Sequence, residues 1–132
     1  MDVVGTWELV RWTSLKDGAE NGFPMGEQAT GRIIYTENGH MSAFMIRAGF
    51  ESQKPGTLPT PGDCIAYSAD WRIDGDQVTH DVKFATIPHW IGHPLVRTME
   101  PIGGDQLLLK TAPETSKSGK TYEHHLLWRK VG

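Results

Sequence analysis

The chain holds one cysteine, Cys64, among 132 residues. That excludes an intramolecular disulfide framework. No stretch approaches the ~18 apolar residues of a membrane-spanning helix. The opening Val3-Val4-Gly5-Thr6-Trp7 has no basic or apolar signal-peptide region, so no secretory leader is expected and the expected compartment is the cytoplasm. Charge of one sign is scarce too: 13 Lys and Arg stand against 16 Asp and Glu. With no basic patch, neither nucleic acid nor a membrane is expected as a partner. A Gly-x-Ser-x-Gly elbow is absent, and Cys64 has no base evident nearby in sequence, so nucleophilic catalysis is poorly supported. No glycine loop cradles a phosphate, and no cofactor is expected. His89 and His93 have a spacing that serves zinc on a helix, but Pro88, Gly92 and Pro94 oppose a helix there. His124 and His125 are adjacent and would face opposite sides of a strand. No metal site is therefore expected.

What the chain does have is 15 Gly and 8 Pro, a composition that favours short strands joined by turns. It reads as one domain spanning residues 1–132. Period-two alternation suggests strands over about Val3–Thr13, Gly31–Thr36, His40–Arg47, Cys64–Ile73, Gln77–Ala85, Leu95–Ile102, Gln106–Ala112 and Lys120–Val131. In the first of these, Gly5, Trp7, Leu9 and Arg11 share a face. Asn38-Gly39, Asp74-Gly75 and Gly103-Gly104 mark tight turns. Ser14–Ala29 and the proline-rich Ala48–Asp63 read as loops. About eight strands in hairpin order most simply close into an antiparallel up-and-down β-barrel; the alternative is an open sandwich. Successive connections alternate between the two ends of such a barrel. The three tight turns fall at one end and the four long loops at the other. The long-loop end is then a mouth, with Phe23, Met25, His89, Trp90 and His93 around it, and Trp7 and Arg129 at the closed end.

Gly5-Thr6-Trp7 on the first strand, with Arg129 on the last, resembles the lipocalin (calycin) pattern. More specifically, the chain resembles the small bacterial and fungal lipocalin-like domain family. The likeness runs through Gly26-Glu27, Thr30–Tyr35, Asn38–Ala43, Val78-Thr79-His80, Pro88–Gly92, Arg97 and Trp128-Arg129. It implies a barrel with a ligand cavity, closed by the first-strand tryptophan with the late arginine packed across it. The chain departs from that pattern at Glu51–Gly62, which is proline-rich where members of the family often have a helical segment.

Val78, His80, Val82 and Phe84 share one face of a strand, and Thr79, Asp81 and Lys83 the wet face. His80 on that apolar face is either a hydrogen-bonded core residue or a cavity-lining acid/base. Alternation groups Arg97 with Leu95 and Met99, but an exposed arginine is an equal alternative. Tyr35, Phe44, Tyr67, Trp71, Phe84 and Trp90 are candidate cavity walls, and any one of them could instead be ordinary core. Two functional readings follow. One is a binding module for a small hydrophobic or aromatic molecule, acting as a monomer or homodimer. The other is a cofactor-independent isomerase, cyclase or hydratase, with His80 as acid/base and Arg97 stabilising developing negative charge.

Overall fold

Strand β4 (His40–Ile46) sets the pattern of the molecule: Met41, Ala43 and Met45 are buried, and His40, Ser42 and Phe44 are exposed. One face of each strand therefore seeks a common interior. In the computed structural model, which describes residues 2–132, that interior is the inside of a closed barrel. Its other principal strands are β1 (Gly5–Lys16), β3 (Thr30–Tyr35), β5 (Cys64–Asp74), β6 (Gln77–Ala85), β7 (Pro94–Pro101), β8 (Gln106–Thr111) and β10 (Thr121–Lys130). Each pairs antiparallel with its neighbours in chain order, and β10 pairs back onto β1. The barrel is an eight-stranded up-and-down β-barrel, and closure leaves no long unpaired edge. Two short strands, β2 (Ala19–Glu20) and β9 (Glu114–Thr115), extend it at the long-loop end.

Two bulges rephase the strands. In β1 the pairing with β10 slips between Leu9 and Arg11, leaving Val10 as the extra residue. Trp7 and Leu9 face inward before it. Beyond it Trp12 and Ser14 are buried and Arg11 is exposed. The expected grouping of Arg11 with Trp7 is therefore wrong, and Trp12 takes the inward place. In β6 the pairing slips so that Ser68 meets Phe84 and Ala69 meets Val82, with Lys83 extra. Val78, His80 and Val82 stay inside, while Phe84 is thrown outward and is 72% exposed. Thr79, expected on the wet face, is buried as well.

The closed end also departs from expectation. Trp7 is buried and its indole donates to the Val3 carbonyl at 2.9 Å. The cation over its ring is Lys130, at 5.9 Å, not Arg129. Trp7 pairs directly with Lys130, while Arg129 follows inward-facing Trp128 and so points out to solvent. At the other end the β1–β3 loop folds across the opening. Met25 is buried and its carbonyl accepts a hydrogen bond from Ala48 at 2.9 Å. The proline-rich stretch Ala48–Asp63 is a loop, as its composition indicated, and carries only the 3₁₀ turn Phe50–Ser52. A second 3₁₀ turn, Pro88–Trp90, lies between β6 and β7.

Candidate functional site

A cavity of about 510 Å³ lies inside the barrel, within the range that holds one small molecule. Its exposed lining residues, His89, Pro94, Val96, Ala112 and Glu114, come from the β6–β7 side, β7 itself included, and the β8–β10 side. Those sides form the open part of the mouth, opposite the covering loop that carries Met25. The walls are mainly apolar, with Ile33, Met45, Leu95, Leu109, Leu126 and Trp128 among them. Apart from Tyr122 and the mouth residues His89 and Glu114, the polar groups on the walls fall into two sets.

The first is built on β3, β5 and β6. His80 is 1% exposed. Its Nε2 lies 2.7 Å from the Tyr35 hydroxyl and its Nδ1 lies 2.9 Å from the Tyr67 hydroxyl. Trp71 stands edge-on to Tyr35 and Trp90 edge-on to Tyr67, each at 5.5 Å between ring centroids. The Trp71 indole is itself fixed by donation to the Thr36 carbonyl at 3.0 Å. Burial, with the nearby Arg97 charge adding to it, drives the His80 pKa down to about 3. The ring is therefore neutral at pH 7 and carries one N–H. Burial also raises the pKa of both tyrosines, against the pull of Arg97. Three protons, two O–H and one N–H, serve two hydrogen bonds, so one hydroxyl proton is left over. Tyr35 is off the cavity wall and its hydroxyl has no other partner among the described residues, whereas Tyr67 is on the wall. An unpaired buried donor is costly. The favoured arrangement has Tyr35 donating to Nε2 and Nδ1–H donating to Tyr67. The Tyr67 O–H is then free to donate into the cavity.

The second set lies on β7, β8 and β10. Arg97 pairs with Thr111 across β7 and β8. The His124 backbone N–H donates to the Thr111 hydroxyl at 2.8 Å, and all three residues line the cavity. The Trp12 indole donates to His124 Nδ1 at 3.0 Å. Burial first, and Arg97 next, lower the pKa of His124. At the inner wall, the buried Trp128 indole N–H is the one buried side-chain polar atom among the described residues that lacks a protein partner.

The residues expected to form the site divide accordingly. Tyr67, His80, Trp90 and Arg97 line the cavity. Tyr35 and Trp71 stand behind that wall, Tyr35 holding His80 and Trp71 packing on Tyr35. Phe44 and Phe84 do not reach it: they are 56% and 72% exposed on the outer face. Phe44 is out of phase with inward Met41, Ala43 and Met45, and Phe84 lies past the β6 bulge. Sequence reasoning missed Trp12, Thr111 and His124. The alternation of Tyr122, His124, Leu126 and Trp128 was the available signal for His124. Among the described residues, no group of three or more His, Cys, Asp or Glu side chains could hold a metal ion.

A family model described as a lipocalin-like domain matches residues 4–131. The chain belongs to the lipocalin-like domain family. No curated protein matches it significantly. Solved structures similar to this family member include a redesigned β-barrel, at 11% identity with a TM-score of 0.45, covering 98% of this chain and 92% of that one. Another is an uncharacterized protein from Bacteroides eggerthii DSM 20697, at 12% identity with a TM-score of 0.47, covering 98% of this chain and 100% of the other.

Proposed function

We propose that this barrel binds one small, mostly apolar molecule in its cavity, with an electronegative group of that molecule turned toward Arg97. The observation that carries the reading is the contrast between the apolar walls and this guanidinium. Arg97 lines a cavity of about 510 Å³, is partly buried, and its one side-chain hydrogen bond among the described residues goes to the Val96 carbonyl at 3.3 Å. A guanidinium withdrawn from water favours a negative partner. The Tyr67 hydroxyl, with its spare proton, adds a donor on the facing side. Trp12, Trp90 and Trp128 all touch the cavity, so a bound aromatic probe will quench their fluorescence. Titration with a panel of apolar fluorescent probes should give saturable one-to-one quenching, and native mass spectrometry should detect the complex. No saturable binding by any member of the panel would sink this reading.

One observation favours a second reading, a cofactor-independent isomerase, cyclase or hydratase. The Tyr35–His80–Tyr67 chain ends in a hydroxyl that can donate a proton into the cavity. His80, held neutral, would serve there as a fixed donor rather than a charged acid. Tyr67 would give its proton to the substrate. The resulting phenolate would be held by the His80 Nδ1–H and the Arg97 charge. Under this reading Tyr67→Phe lowers turnover by about a hundredfold or more, with substrate affinity kept within about tenfold. Unchanged turnover in Tyr67→Phe would leave only the binding role.

A further inference from the structure

Arg97, Thr111 and His124 occupy one cross-strand row on three adjacent strands, β7, β8 and β10. Arg97 is the register partner of Thr111. The ladder between β8 and β10 runs through Lys110 and His125, so Thr111 and His124 come next in line, joined by the 2.8 Å bond from the His124 N–H to the Thr111 hydroxyl. Neighbouring strands lie ~4.8 Å apart, which sets the Arg97 and His124 backbones about 10 Å from each other. Two long side chains at that separation can converge on one group held between them.

The hydrogen-bond chemistry of the row is one-sided. An indole N–H can only donate, so the 3.0 Å bond from Trp12 requires His124 Nδ1 to accept. The single proton of the neutral ring then sits on Nε2. Protonating Nδ1 as well would break the Trp12 bond, which agrees with the lowered pKa of His124. No protein acceptor bonds His124 Nε2 among the described residues. The Thr111 oxygen already accepts from the His124 backbone, leaving its O–H to donate. Arg97 has donors only. Guanidinium, hydroxyl and imidazole N–H thus present donors in one line on the cavity wall.

The charges around His124 are Arg97, Glu114 and His125, and the carboxylate pulls its pKa upward less than burial pushes it down. Glu114 lies exposed at the mouth and forms no ion pair with Arg97. His125 points away and meets Glu123 at 3.1 Å. Among the described residues no carboxylate forms an ion pair with Arg97.

We propose that Arg97, Thr111 and His124 form an oxyanion subsite, so that the cavity selects apolar molecules bearing a carboxylate or an ionised enol or phenol. The Trp12 indole keeps His124 in the donor tautomer that the subsite needs. This rests on the reading that the cavity binds a small molecule.

The test uses two probes that differ only in one anionic group, 1-anilinonaphthalene-8-sulfonate and neutral N-phenyl-1-naphthylamine. The folded protein should bind the anion more tightly than the neutral probe by about tenfold or more. Arg97→Met, His124→Phe and the milder His124→Leu should each bring the ratio toward one by weakening the anion alone. Trp12→Phe should lower the ratio about threefold to fivefold by freeing the tautomer. Nitrogen-15 shifts of the imidazole should show His124 protonated at Nε2 in the wild type. Equal binding of both probes by the wild type, or a Nδ1–H tautomer, overturns the subsite and leaves the cavity reading standing. Failure of both probes to bind overturns the cavity reading itself. Circular dichroism of each variant confirms that a lost ratio is measured on folded protein.

Discussion

Acid should weaken this barrel through His80 more than through any exposed group. The ring is 1% exposed, and its pKa falls from 6.5 to about 3 on folding, chiefly through burial and further through Arg97. Between those two values the unfolded chain binds a proton that the folded chain does not. Stability is therefore complete above pH 6.5 and drains away as the pH falls toward 3. The slope is about 1.4 kcal/mol per pH unit within that window. From pH 7.5 to pH 4.5 the His80 contribution amounts to about 2.6 kcal/mol, a large fraction of a typical domain's stability. The groups facing His80 are Tyr35, Tyr67 and Arg97, and burial shifts both tyrosines upward, away from this range. His124 acts with the same sign but is only half-buried. Urea unfolding of the wild type and of His80→Gln at pH 7.5, 6.0, 5.0 and 4.5 separates these contributions. Glutamine offers a donor and an acceptor without a titrating ring, and His124 and the carboxylates are common to both proteins. The wild type should lose about 2–3 kcal/mol more than the variant over this range. Parallel curves for the two proteins would refute the assignment of a buried, neutral His80.

Two further outcomes probe the frame around the site. Gly31→Ala should lower stability by about 2–3 kcal/mol by thermal or urea unfolding, because a Cβ there would clash with the backbone oxygen of Phe44 and sit 3.3 Å from the Met45 Cα. A change below ~0.5 kcal/mol would mean that β3 and β4 separate more easily than their register implies. Phe84→Ser should leave stability within about 0.5 kcal/mol and cavity affinity unchanged, since the β6 bulge turns the ring out to solvent; a weakened probe titration would place Phe84 on the cavity after all.

The strand order was legible because its signals are local. Asn38-Gly39, Asp74-Gly75 and Gly103-Gly104 mark turns without reference to any partner strand, and their alternation with long loops separates mouth from closed end. The inward direction of His80 was legible for the same reason: Val78 and Val82 flank it at period two. What could not be read locally is a bulge. Whether Val10 or Lys83 is the extra residue depends on the partner strand, and each bulge inverts the phase of everything beyond it. Arg11 and Phe84 were misplaced on that account, and Trp12 was overlooked. Phe44 is a different case. Its phase against Met41, Ala43 and Met45 was visible, but its size outweighed its position. Arg129 followed a family likeness past the alternation that Trp128 imposes. His124 and His125 are adjacent and so face opposite sides of β10, and only His124 reaches the cavity.

The same bulge in β1 that hid Trp12 also makes the polar row on β10 intelligible. Without Val10 as the extra residue, Arg11 would share the inward face with Trp7 and Leu9, and a second guanidinium would enter the barrel beside Arg97. With the bulge, an indole takes that place, and its N–H sets the tautomer of His124. Across the eight-stranded ring, β5 lies opposite β10, so Tyr67 faces His124 over the cavity. Tyr67 gains its free proton because His80 is kept neutral and Tyr35 fills the acceptor on the far side of the ring. On both walls an aromatic partner fixes a histidine's tautomer, on one with Tyr35 behind His80 and on the other with Trp12 beside His124. The consequence is a cavity whose two inner polar sets present donors, in a mainly apolar shell with one cation, the Glu114 carboxylate standing out at the mouth. Such a lining favours acceptors over donors in whatever enters, and it does so at any pH where both histidines are neutral. Above pH 6.5 that selectivity should therefore be flat, and its loss on acidification should follow the unfolding curve.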